Sequence, residues 1–381
     1  MTPEEVGLLS ELTIVIPTYN RPLELERAIE YWRDLPVSVH ILDGSEKPWF
    51  SVGVLPNTLS ISYNHFPQTV NEDWKDNYIR RIKFASELCS SNFATLCSDD
   101  DFFTVEGLKV ALKSLRDDTC DVVLGKSAQY LFRNGKFEWK RVNFTWRSEE
   151  ASLIHDFSVR NRSTRRGSTY YGIFKTYYWK EIRLISVEEK FSNVGAIENI
   201  ANYLSKVLCR LLVIQEYLWV TNYPDKTYKN APHKVEKFSS WLHDEKNKPE
   251  VERFIHVLET GLRKFITPNS NLDVKKIANE ILIEKNTTPK LKPVIRARVL
   301  VNKKLLLFIS RLPLTARTRI FRLLPTRWKK VLRTPDFVDS RTPVMEIDAN
   351  DLSIQRSVII WESIMLKPRE ELRLRVNTYN G

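Results

Sequence analysis

The chain has 381 residues, 42% of them hydrophobic, with 59 Lys or Arg against 47 Asp or Glu and a net charge of +12. This apolar content excludes a disordered chain, and the small numbers of Gly (11) and Cys (4) exclude collagen-like and disulfide-scaffold proteins. The length predicts about two or three domains. The charge leaves nucleic acid, a membrane surface and an anionic substrate as partners to consider.

Strand and helix patterns alternate through the first 125 residues. A short apolar run at 12–16 predicts a buried strand that ends at Pro17, and Pro22 opens a helix whose apolar residues share one face. Further strands are predicted at 37–42, 59–63, 93–97 and 122–124, and further helices at 78–88 and 105–115. Strands that alternate with helices indicate an α/β fold, in which helices flank a mostly parallel sheet.

The chain divides into parts of different character. We predict an α/β domain over 1–230, a helical extension over 231–285, a basic amphipathic segment over 286–335 and a C-terminal tail over 336–381. No Asp or Glu occurs between Glu284 and Asp336, a stretch that contains 15 Lys or Arg. Without these the chain has 44 basic against 47 acidic residues, so this one stretch carries the whole positive excess.

Hydrophobic and basic residues alternate in the segment 285–335, and Trp328 lies among basic neighbours. A basic amphipathic stretch with an aromatic anchor is typical of an element that binds an anionic membrane surface. Each basic residue near such a surface contributes about 1 kcal/mol, so part of the segment would suffice for peripheral binding. Packing against the α/β domain and nucleic-acid binding are the alternatives. Because no nucleic-acid motif accompanies the segment, we expect no nucleic acid.

Cysteine usage and apolar runs predict the compartment. The four Cys form no CxxC pair and the six His do not cluster with them, which argues against zinc and fits a reducing cytosol. Acidic residues near the N-terminus interrupt any secretory signal, and the longest apolar run, 305–309, is far shorter than the roughly 20 residues that span a bilayer. We expect a cytoplasmic protein, bound at most peripherally to the inner face of the cytoplasmic membrane.

Three consecutive carboxylates, Asp99, Asp100 and Asp101, follow a predicted strand and precede an apolar pair and a helix. Packing like charges together raises the pKa of each, and a divalent cation relieves that cost. Hard oxygen ligands suit Mg²⁺ or Mn²⁺, which take further ligands from substrate phosphates. The place also fits, since open α/β sheets bind ligands beyond the carboxyl ends of their strands. A solvated turn is the alternative interpretation.

Three segments occur in a fixed order at the ends of predicted strands. They are Thr13-Ile-Val-Ile-Pro-Thr-Tyr-Asn-Arg-Pro22, His40-Ile-Leu-Asp-Gly-Ser45 and Phe93-Ala-Thr-Leu-Cys-Ser-Asp-Asp-Asp-Phe102. Together they resemble the family-two-like glycosyltransferases of the GT-A fold, and the resemblance covers roughly residues 11–230. It implies a GT-A-type, Rossmann-like sheet and sugar transfer from a nucleotide-sugar to an acceptor hydroxyl. A metal at Asp99 and Asp101 would neutralise charge on the departing diphosphate.

The resemblance also assigns residues to a donor site at the carboxyl ends of the first strands. They are Thr18, Tyr19 and Arg21 at the nucleotide, Asp43 as acceptor of a hydrogen bond from the base, Lys83 as a nearby cation, and Asp99 and Asp100. A UDP-sugar is the expected donor. Arg80 and Arg81 are alternatives to Lys83 as the cation near the donor, and Lys83 would then be an exposed lysine on a helix. The alternative interpretation of Asp43 is a residue that forms a turn.

Inverting members of such families carry a general base nearly a hundred residues after the metal motif. In this chain Glu198, within 191–200, occupies that place and is the candidate base. Asn199 stands where a second acid is common. Glu188 and Glu189 therefore stay as alternatives, as does a surface role for Glu198.

A basic and aromatic loop over 160–171 is the candidate acceptor site, since Arg suits bidentate phosphate contacts and Tyr suits stacking on sugar faces. The candidates are Arg165, Arg166, Tyr170 and Tyr171. A solvated basic loop is the alternative. Farther on, Gln215–Trp219 is similar to the product-end signature of processive synthases, but Leu218 stands where Arg is expected, so we do not predict processive synthesis.

These features favour a metal-dependent, inverting glycosyltransferase that acts on a glycan or lipid-linked acceptor, for a surface glycan of the lipopolysaccharide or capsule type. A nucleotidyltransferase on a similar sheet would need a Gly-rich phosphate loop after the first strand, and 17–22 contains no Gly. A non-catalytic membrane-surface adaptor is the third hypothesis.

Overall fold

The computed structural model describes residues 1–49, 60–133, 136–143, 169–222, 238–265 and 352–367. Residues 1–281 and 347–381 belong to one compact unit. A second unit, Leu282–Glu346, lies outside the described residues and contains all of the predicted basic segment. The predicted domain boundaries stay predictions, although residues 347–381 of the predicted C-terminal tail share their unit with the α/β region.

The strands of the described residues form one sheet. They are β1 (Leu12–Thr18), β2 (Ser38–Asp43), β3 (Ile61–His65), β4 (Phe93–Leu96), β5 (Phe102–Phe103), β6 (Val122–Arg133), β7 (Lys136–Asn143), β8 (Ile173–Lys175) and β9 (Leu211–Asn222). The spatial order is β3-β2-β1-β4-β8-β6-β9-β5, and β7 pairs with β6. β1 runs parallel to β2 and β4, β2 to β3, and β6 to β9, whereas β5, β7 and β8 are antiparallel to their neighbours.

Helices alternate with these strands. They are α1 (Pro3–Leu9), α2 (Pro22–Trp32), α3 (Trp74–Leu88), α4 (Val105–Arg116), α5 (Thr176–Ser186), α6 (Gly195–Leu208), α7 (Phe238–Trp241), α8 (Lys248–Phe265) and α9 (Leu352–Leu366). Local sequence explains several of their starts. Pro22 stands at the first position of α2, Asp73 and Asp76 form a capping box at α3, and Thr104 caps α4.

The core confirms the predicted α/β class. All of β1 except Pro17 is buried, and α4 buries the face that carries Leu108, Ala111, Leu112 and Leu115 against the sheet. The short apolar run predicted at 122–124 is only the beginning of β6, and no prediction covered β5 and β8. Strands of two or three residues are too short to show an alternating pattern, so only the pairing with a neighbouring strand defines them.

The parallel register brings the ends of three strands together. Thr18, the last residue of β1, pairs with Asp43, the last residue of β2, and Val15 pairs with Leu96 at the end of β4. The turns that follow β1, β2 and β4 therefore meet at one edge of the sheet. This is the edge at which open α/β sheets bind ligands.

The helix α9 packs against α2 and α4, although about 230 residues separate it from α4 along the chain. Its buried side chains join the core beneath β5. Among the described helices, none has the length and apolar character that crossing a membrane would require.

Candidate active site

The loop after β4 carries the three carboxylates, and Asp99 is the one tied to β1. Its buried side chain accepts a hydrogen bond of 2.6 Å from Thr18 Oγ1 at Oδ2 and one of 2.6 Å from Arg21 Nη1 at Oδ1. Burial raises the pKa of Asp99 to about 7, although Arg21 and Thr18 act in the opposite direction. The structure thus brings together three residues predicted for the donor site.

Arg21 joins Asp99 to Asp100. Arg21 Nη2 donates to Asp100 Oδ2 at 2.6 Å, while about a quarter of the Arg21 side chain stays exposed. The backbone oxygen of Asp100 accepts a hydrogen bond of 2.8 Å from Tyr130 OH. One guanidinium therefore neutralises two of the three carboxylates, and in the described part of the chain Asp101 has no cationic partner.

Asp101 is held by neutral groups. Trp219 Nε1 donates to its Oδ2 at 3.1 Å, and the backbone N–H of Asn222 donates to its Oδ1 at 3.0 Å. The side chain is 3% exposed. Burial, followed by the charge of Asp100, raises the pKa of Asp101 well above its ordinary value, and the hydrogen bonds from β9 offset this only in part.

The chemistry of this loop suits a hard divalent cation. The described residues contain no group of three or more His, Cys, Asp or Glu that could enclose a metal ion. Mg²⁺, however, is usually bound by one or two protein carboxylates, with waters and substrate phosphates completing its coordination. Asp101 suits this role better than Asp99, because Asp99 is already paired with the Arg21 guanidinium, whereas the described donors to Asp101 are neutral.

Asp43, at the end of β2, is buried and firmly oriented. Its Oδ1 accepts hydrogen bonds from the backbone N–H of Ser45 at 2.9 Å and from the Ser45 hydroxyl, and its Oδ2 accepts one of 2.6 Å from Tyr63 OH. The backbone N–H of Asn20 donates to Ser45 Oγ at 2.8 Å, which connects this turn to the one after β1. Oδ2 keeps a lone pair for one further donor.

A cavity of about 310 Å³ lies at the ends of β1 and β2. Its lining residues are Thr18, Asn20, Arg21, Pro22, Leu25, Asp43, Ser45, Lys47, Pro48 and Trp49. The Trp49 indole is fixed by a hydrogen bond of 2.9 Å from Nε1 to Glu26 Oε1. The cavity collects three of the predicted donor residues, whereas Tyr19 is half-buried and lies outside its lining.

The candidate cations on α3 lie in different surroundings, and their roles at the donor stay predictions. Arg81 is buried, and its Nη1 donates to the carbonyls of Thr18 and Leu42 at 2.8 and 2.9 Å. Lys83 is exposed and lines a separate cavity that contains none of the donor residues. Positions two apart in a helix point about 200° away from each other, so α3 cannot present both side chains to β1 and β2.

Glu198 lies in the first turn of α6 and is half-buried. Burial, and then the charges of Glu198 and Asp101, raise the pKa of Tyr171, so this phenol lies within electrostatic range of both carboxylates. Tyr171 stacks on Trp219 with ring centroids 4.4 Å apart and planes 17° from parallel. The Tyr171–Trp219 pair therefore connects the candidate base to Asp101, while the alternative Glu188 is exposed and Glu189 is half-buried beyond α5.

Of the predicted acceptor residues, Tyr171 faces the site and Tyr170 does not. Tyr170 is buried, its hydroxyl hydrogen-bonds to Tyr78 OH, and the Arg183 guanidinium carbon lies 3.8 Å from its ring centroid. A ring enclosed in this way offers no free face to a sugar, so the structure does not favour Tyr170 as an acceptor residue, and its assignment stays a prediction. Arg165 and Arg166 lie outside the described residues.

Several residues of the site escaped the sequence reasoning. They are Ser45, Trp49, Tyr63, Arg81 as first choice, Trp219 and Asn222. The Gln215–Trp219 motif is a sequence signal that could have placed Trp219 in the site, although its similarity to the signature of processive synthases did not predict the contact with Asp101. For Tyr63 and Asn222 no local signal exists, because their roles depend on which strands become neighbours.

With this geometry established, comparison with known proteins identifies the domain. Residues 13–180 match the family model described as glycosyl transferase family 2. This part of the chain, a little under half of it, is similar to family 2 glycosyltransferases. The chain is therefore a glycosyltransferase that uses a nucleotide-sugar donor, which favours the first of the three functional hypotheses over a nucleotidyltransferase and over an adaptor.

Solved structures similar to this glycosyltransferase include two of S. aureus TarS residues 1–349. The complex with UDP-GlcNAc is 15% identical, covers 96% of this chain and 92% of the TarS chain, and has a TM-score of 0.45. The complex with UDP is 13% identical, covers 96% and 91%, and has a TM-score of 0.42. No curated protein sequence matches the chain.

Proposed function

We propose that this glycosyltransferase moves a sugar from a UDP-sugar to a hydroxyl of a glycan or lipid-linked acceptor, with a divalent cation and with inversion at the anomeric carbon. The acceptor would belong to a surface glycan of the lipopolysaccharide or capsule type. The single observation that carries the proposal is the buried Asp101, whose described donors are neutral, in the same loop as Asp99, which Thr18 and Arg21 of the donor cavity bind.

The donor cavity has the chemistry of a nucleotide site. Asp43 keeps one acceptor lone pair, which suits the imide N–H of a uracil base, and Trp49 provides an apolar wall. Arg21 and Lys47 add positive charge where the phosphates would lie. Thr18 and Arg21 also hold Asp99, so nucleotide binding and the order of the carboxylate loop are coupled.

Asp101, with Asp99 beside it, would hold the Mg²⁺ or Mn²⁺ ion. When bound, such an ion supplies positive charge that stabilises the departing nucleoside diphosphate. Asp101 keeps its carboxylate in place through the Trp219 and Asn222 N–H groups, so no reorganisation is required when the donor binds.

Glu198 would take the proton from the acceptor hydroxyl as general base. Its position at the start of α6 gives it a fixed backbone, and its half-buried side chain leaves access for an acceptor. The exposed part of the Tyr171–Trp219 pair offers an aromatic face on which an acceptor sugar would stack. Trp219 of this pair donates to Asp101, and Tyr171 lies within electrostatic range of Glu198.

Donor binding is the most direct test of the proposal. Thermal unfolding of the full chain should be measured with UDP-, GDP- and CMP-sugars, each with Mn²⁺ and with EDTA. A UDP-sugar at about 100 times its Kd should add about 2.7 kcal/mol of stability, and EDTA should remove most of that gain. No stabilisation by any nucleotide-sugar with Mn²⁺ or Mg²⁺ would contradict the donor assignment, and proton NMR of a transferred sugar would report inversion or retention.

The predicted basic segment 285–335 lies outside the described residues, and membrane binding by it is a second part of the proposal. The charge pattern of the sequence supports it, with 15 Lys or Arg and no acidic residue. Flotation of the full chain with vesicles of phosphatidylglycerol and of phosphatidylcholine tests it. Preferential recovery with the anionic vesicles, lost at high salt, is expected, and equal recovery with both would exclude electrostatic membrane binding.

A further inference from the structure

The C-terminal helix α9 lies outside the family match at 13–180 and yet packs under the carboxylate loop. Its buried side chains recur every three or four residues and so form one face of the helix. They are Ser357, Val358, Trp361, Ile364 and Met365. This face belongs to the same core cluster as β1, α2 and α4.

Trp361 makes the contact that matters for the loop. Its ring stacks on Phe102 with centroids 4.8 Å apart and planes 30° from parallel, and it is 1% exposed. Phe102 is the residue directly after Asp101. The rings of Tyr31 and Tyr130 surround the same indole at centroid distances of 5.5 and 6.3 Å.

The side chains around Trp361 also bind the backbone of the loop and the start of α4. Tyr130 OH donates to the Asp100 carbonyl at 2.8 Å, and Tyr31 OH donates to the Phe103 carbonyl at 2.7 Å. Ser357 of α9 accepts a hydrogen bond of 2.9 Å from the backbone N–H of Val105. Three backbone groups between 100 and 105 are thus bonded to α9 or to rings that pack on it.

The other side of the same segment is held by β9. Phe102 and Phe103 form β5, which pairs with Val220 and Trp219, and β9 also provides the two donors to Asp101. The carboxylate loop therefore leads directly into a segment fixed between β9 on one side and α9 on the other. If α9 moved away, the segment would lose the Trp361 ring and the Ser357 hydrogen bond, and the bonds from β9, Tyr31 and Tyr130 would have to define the position of Asp101.

The end of α9 is anchored to α2. Lys367 Nζ lies 2.6 Å from Glu30 Oε1, and both side chains are more than four-fifths buried. Arg27 Nη2 donates to the Met365 carbonyl at 3.5 Å. These bonds fix the position of α9 along α2, and therefore the position at which Trp361 contacts Phe102.

We propose that α9 is a working part of the catalytic unit, and that Trp361 is a positioning residue that holds the loop of Asp99–Asp101 in the geometry needed to bind a divalent cation. The inference rests on the proposed metal role of Asp101. Residues that orient a metal ligand affect affinity without touching the ion, because small displacements of a carboxylate spoil the near-octahedral coordination that Mg²⁺ demands. A helix that merely completes the core would stabilise the whole fold without acting on this loop in particular.

Hydrogen–deuterium exchange of the full chain separates these two roles without any metal. Trp361→Ala removes the ring that packs on Phe102, whereas Trp361→Phe keeps an aromatic ring at that position. The matched control is Trp241→Ala, since Trp241 is also fully buried but packs on Phe191, Phe238 and Phe254.

Amides of 98–105 should exchange about tenfold faster in Trp361→Ala than in Trp361→Phe or Trp241→Ala, because a local opening is specific to the segment that loses its contact. If Trp361→Ala fails to fold, Ser357→Ala is the second variant. It removes the hydroxyl that accepts from the Val105 N–H and hydrogen-bonds to Tyr31, and it should speed exchange of the same amides a few-fold. Uniform acceleration across the chain, or equal exchange at 98–105 in both alanine variants, would overturn the positioning role.

Mn²⁺ binding gives the functional readout. Free Mn²⁺ should be measured by electron paramagnetic resonance in titrations of each variant with UDP present, at a temperature where circular dichroism shows the variant folded. Trp361→Ala should weaken Mn²⁺ binding about tenfold, the low end for residues that orient metal ligands, and Trp241→Ala should not. Equal affinities in the two variants would overturn the proposal. Failure of the wild-type chain to bind Mn²⁺ with UDP would instead contradict the proposed metal site, and the exchange data would still decide whether α9 holds the loop.

Discussion

Two acidic clusters lie at opposite ends of the parallel strands and are treated in opposite ways. The cluster after β4 contains Asp99, Asp100 and Asp101, and one partly exposed guanidinium is its only described cation. The cluster before β6 contains Asp118 and Asp121, and two cations, Lys175 and Arg210, bind both of its carboxylates. The first has more acids than cations, and the second has equal numbers.

The pKa values follow this difference. Burial opposes ionisation of Asp121, but hydrogen bonds from Arg210 and Lys175 outweigh it, and its pKa is lowered. Hydrogen bonds from Lys175 and then Arg210 lower the pKa of Asp118 to about 2. In the other cluster, burial raises the pKa of Asp99 to about 7. One cluster therefore stabilises the fold, and the other keeps an electrostatic cost that a bound cation and donor would relieve.

The largest expected effect on the reaction rate comes from a substitution in the first cluster. Asp101→Asn should lower the rate of UDP-sugar hydrolysis or transfer by about 10³-fold, because the carboxylate that would hold the cation is lost. Asp118→Asn removes a carboxylate of the second cluster and is the control, with a rate close to wild type. The measurement is initial rate against Mn²⁺ concentration for both variants. A normal rate in Asp101→Asn would remove Asp101 from the metal site.

A smaller loss of transfer rate is expected from Glu198→Gln, which tests whether Glu198 acts as the general base. The amide cannot accept the proton from the acceptor, so transfer should fall by about 10²-fold or more. UDP and Mn²⁺ should still bind, since Glu198 is proposed to act on the acceptor and does not line the donor cavity. Comparison of kcat with the Kd for UDP distinguishes the two effects. An unchanged kcat would argue against Glu198 and favour Glu189 as the general base.

The second cluster should respond in stability and not in rate. Asp121→Asn leaves Arg210 and Lys175 without their buried partner, and hydrogen bonds to charged groups contribute roughly 1.5–3 kcal/mol, so a loss of about 2 kcal/mol is expected. Urea unfolding of the variant and the wild type measures it. A stability equal to wild type, or a loss of donor turnover at a temperature where the variant is folded, would contradict a purely structural role.

The smallest expected effect is a change of acid sensitivity. Because the folded pKa of Asp121 is lowered, its contribution is present above the unfolded value of about 3.9 and is lost as the pH falls through the folded value. The stability difference between wild type and Asp121→Asn should therefore shrink between about pH 5 and pH 2. Unfolding curves of both proteins across this range give the difference directly. A difference that grows toward low pH would mean that the sign of the shift is wrong.

The elements of the domain were largely predictable because each has a strong local pattern. The apolar run of β1, the capping residues of α3 and α4 and the three consecutive acids depend on neighbours in sequence, and the predicted α/β class is confirmed. The donor residues Thr18, Arg21 and Asp43 were found through motifs at strand ends, and the structure lines one cavity with them. Their roles in donor binding stay predictions until the binding experiment is done.

The sequence could not distinguish neighbouring positions whose placement depends on packing. Arg81 and Lys83 are equally basic in the sequence, but only the face of α3 that meets β1 and β2 decides which one reaches the carbonyls of Thr18 and Leu42. Tyr170 and Tyr171 are chemically alike, and the burial of one and the partial exposure of the other depend on where α6 and Arg183 lie.

By itself, the sequence determined the alternation of strands and helices, the acidic loop and the concentration of positive charge in one stretch, since periodicity, capping and charge are local properties of the chain. Only the tertiary structure decided that β9 would provide the donors to Asp101, and that one acidic cluster would have as many described cations as carboxylates while the other has fewer. It also decided that Trp361 would pack on Phe102, the residue after Asp101, from about 260 residues away. Such contacts join segments with no sequence relation, and the packing of the whole core selects them.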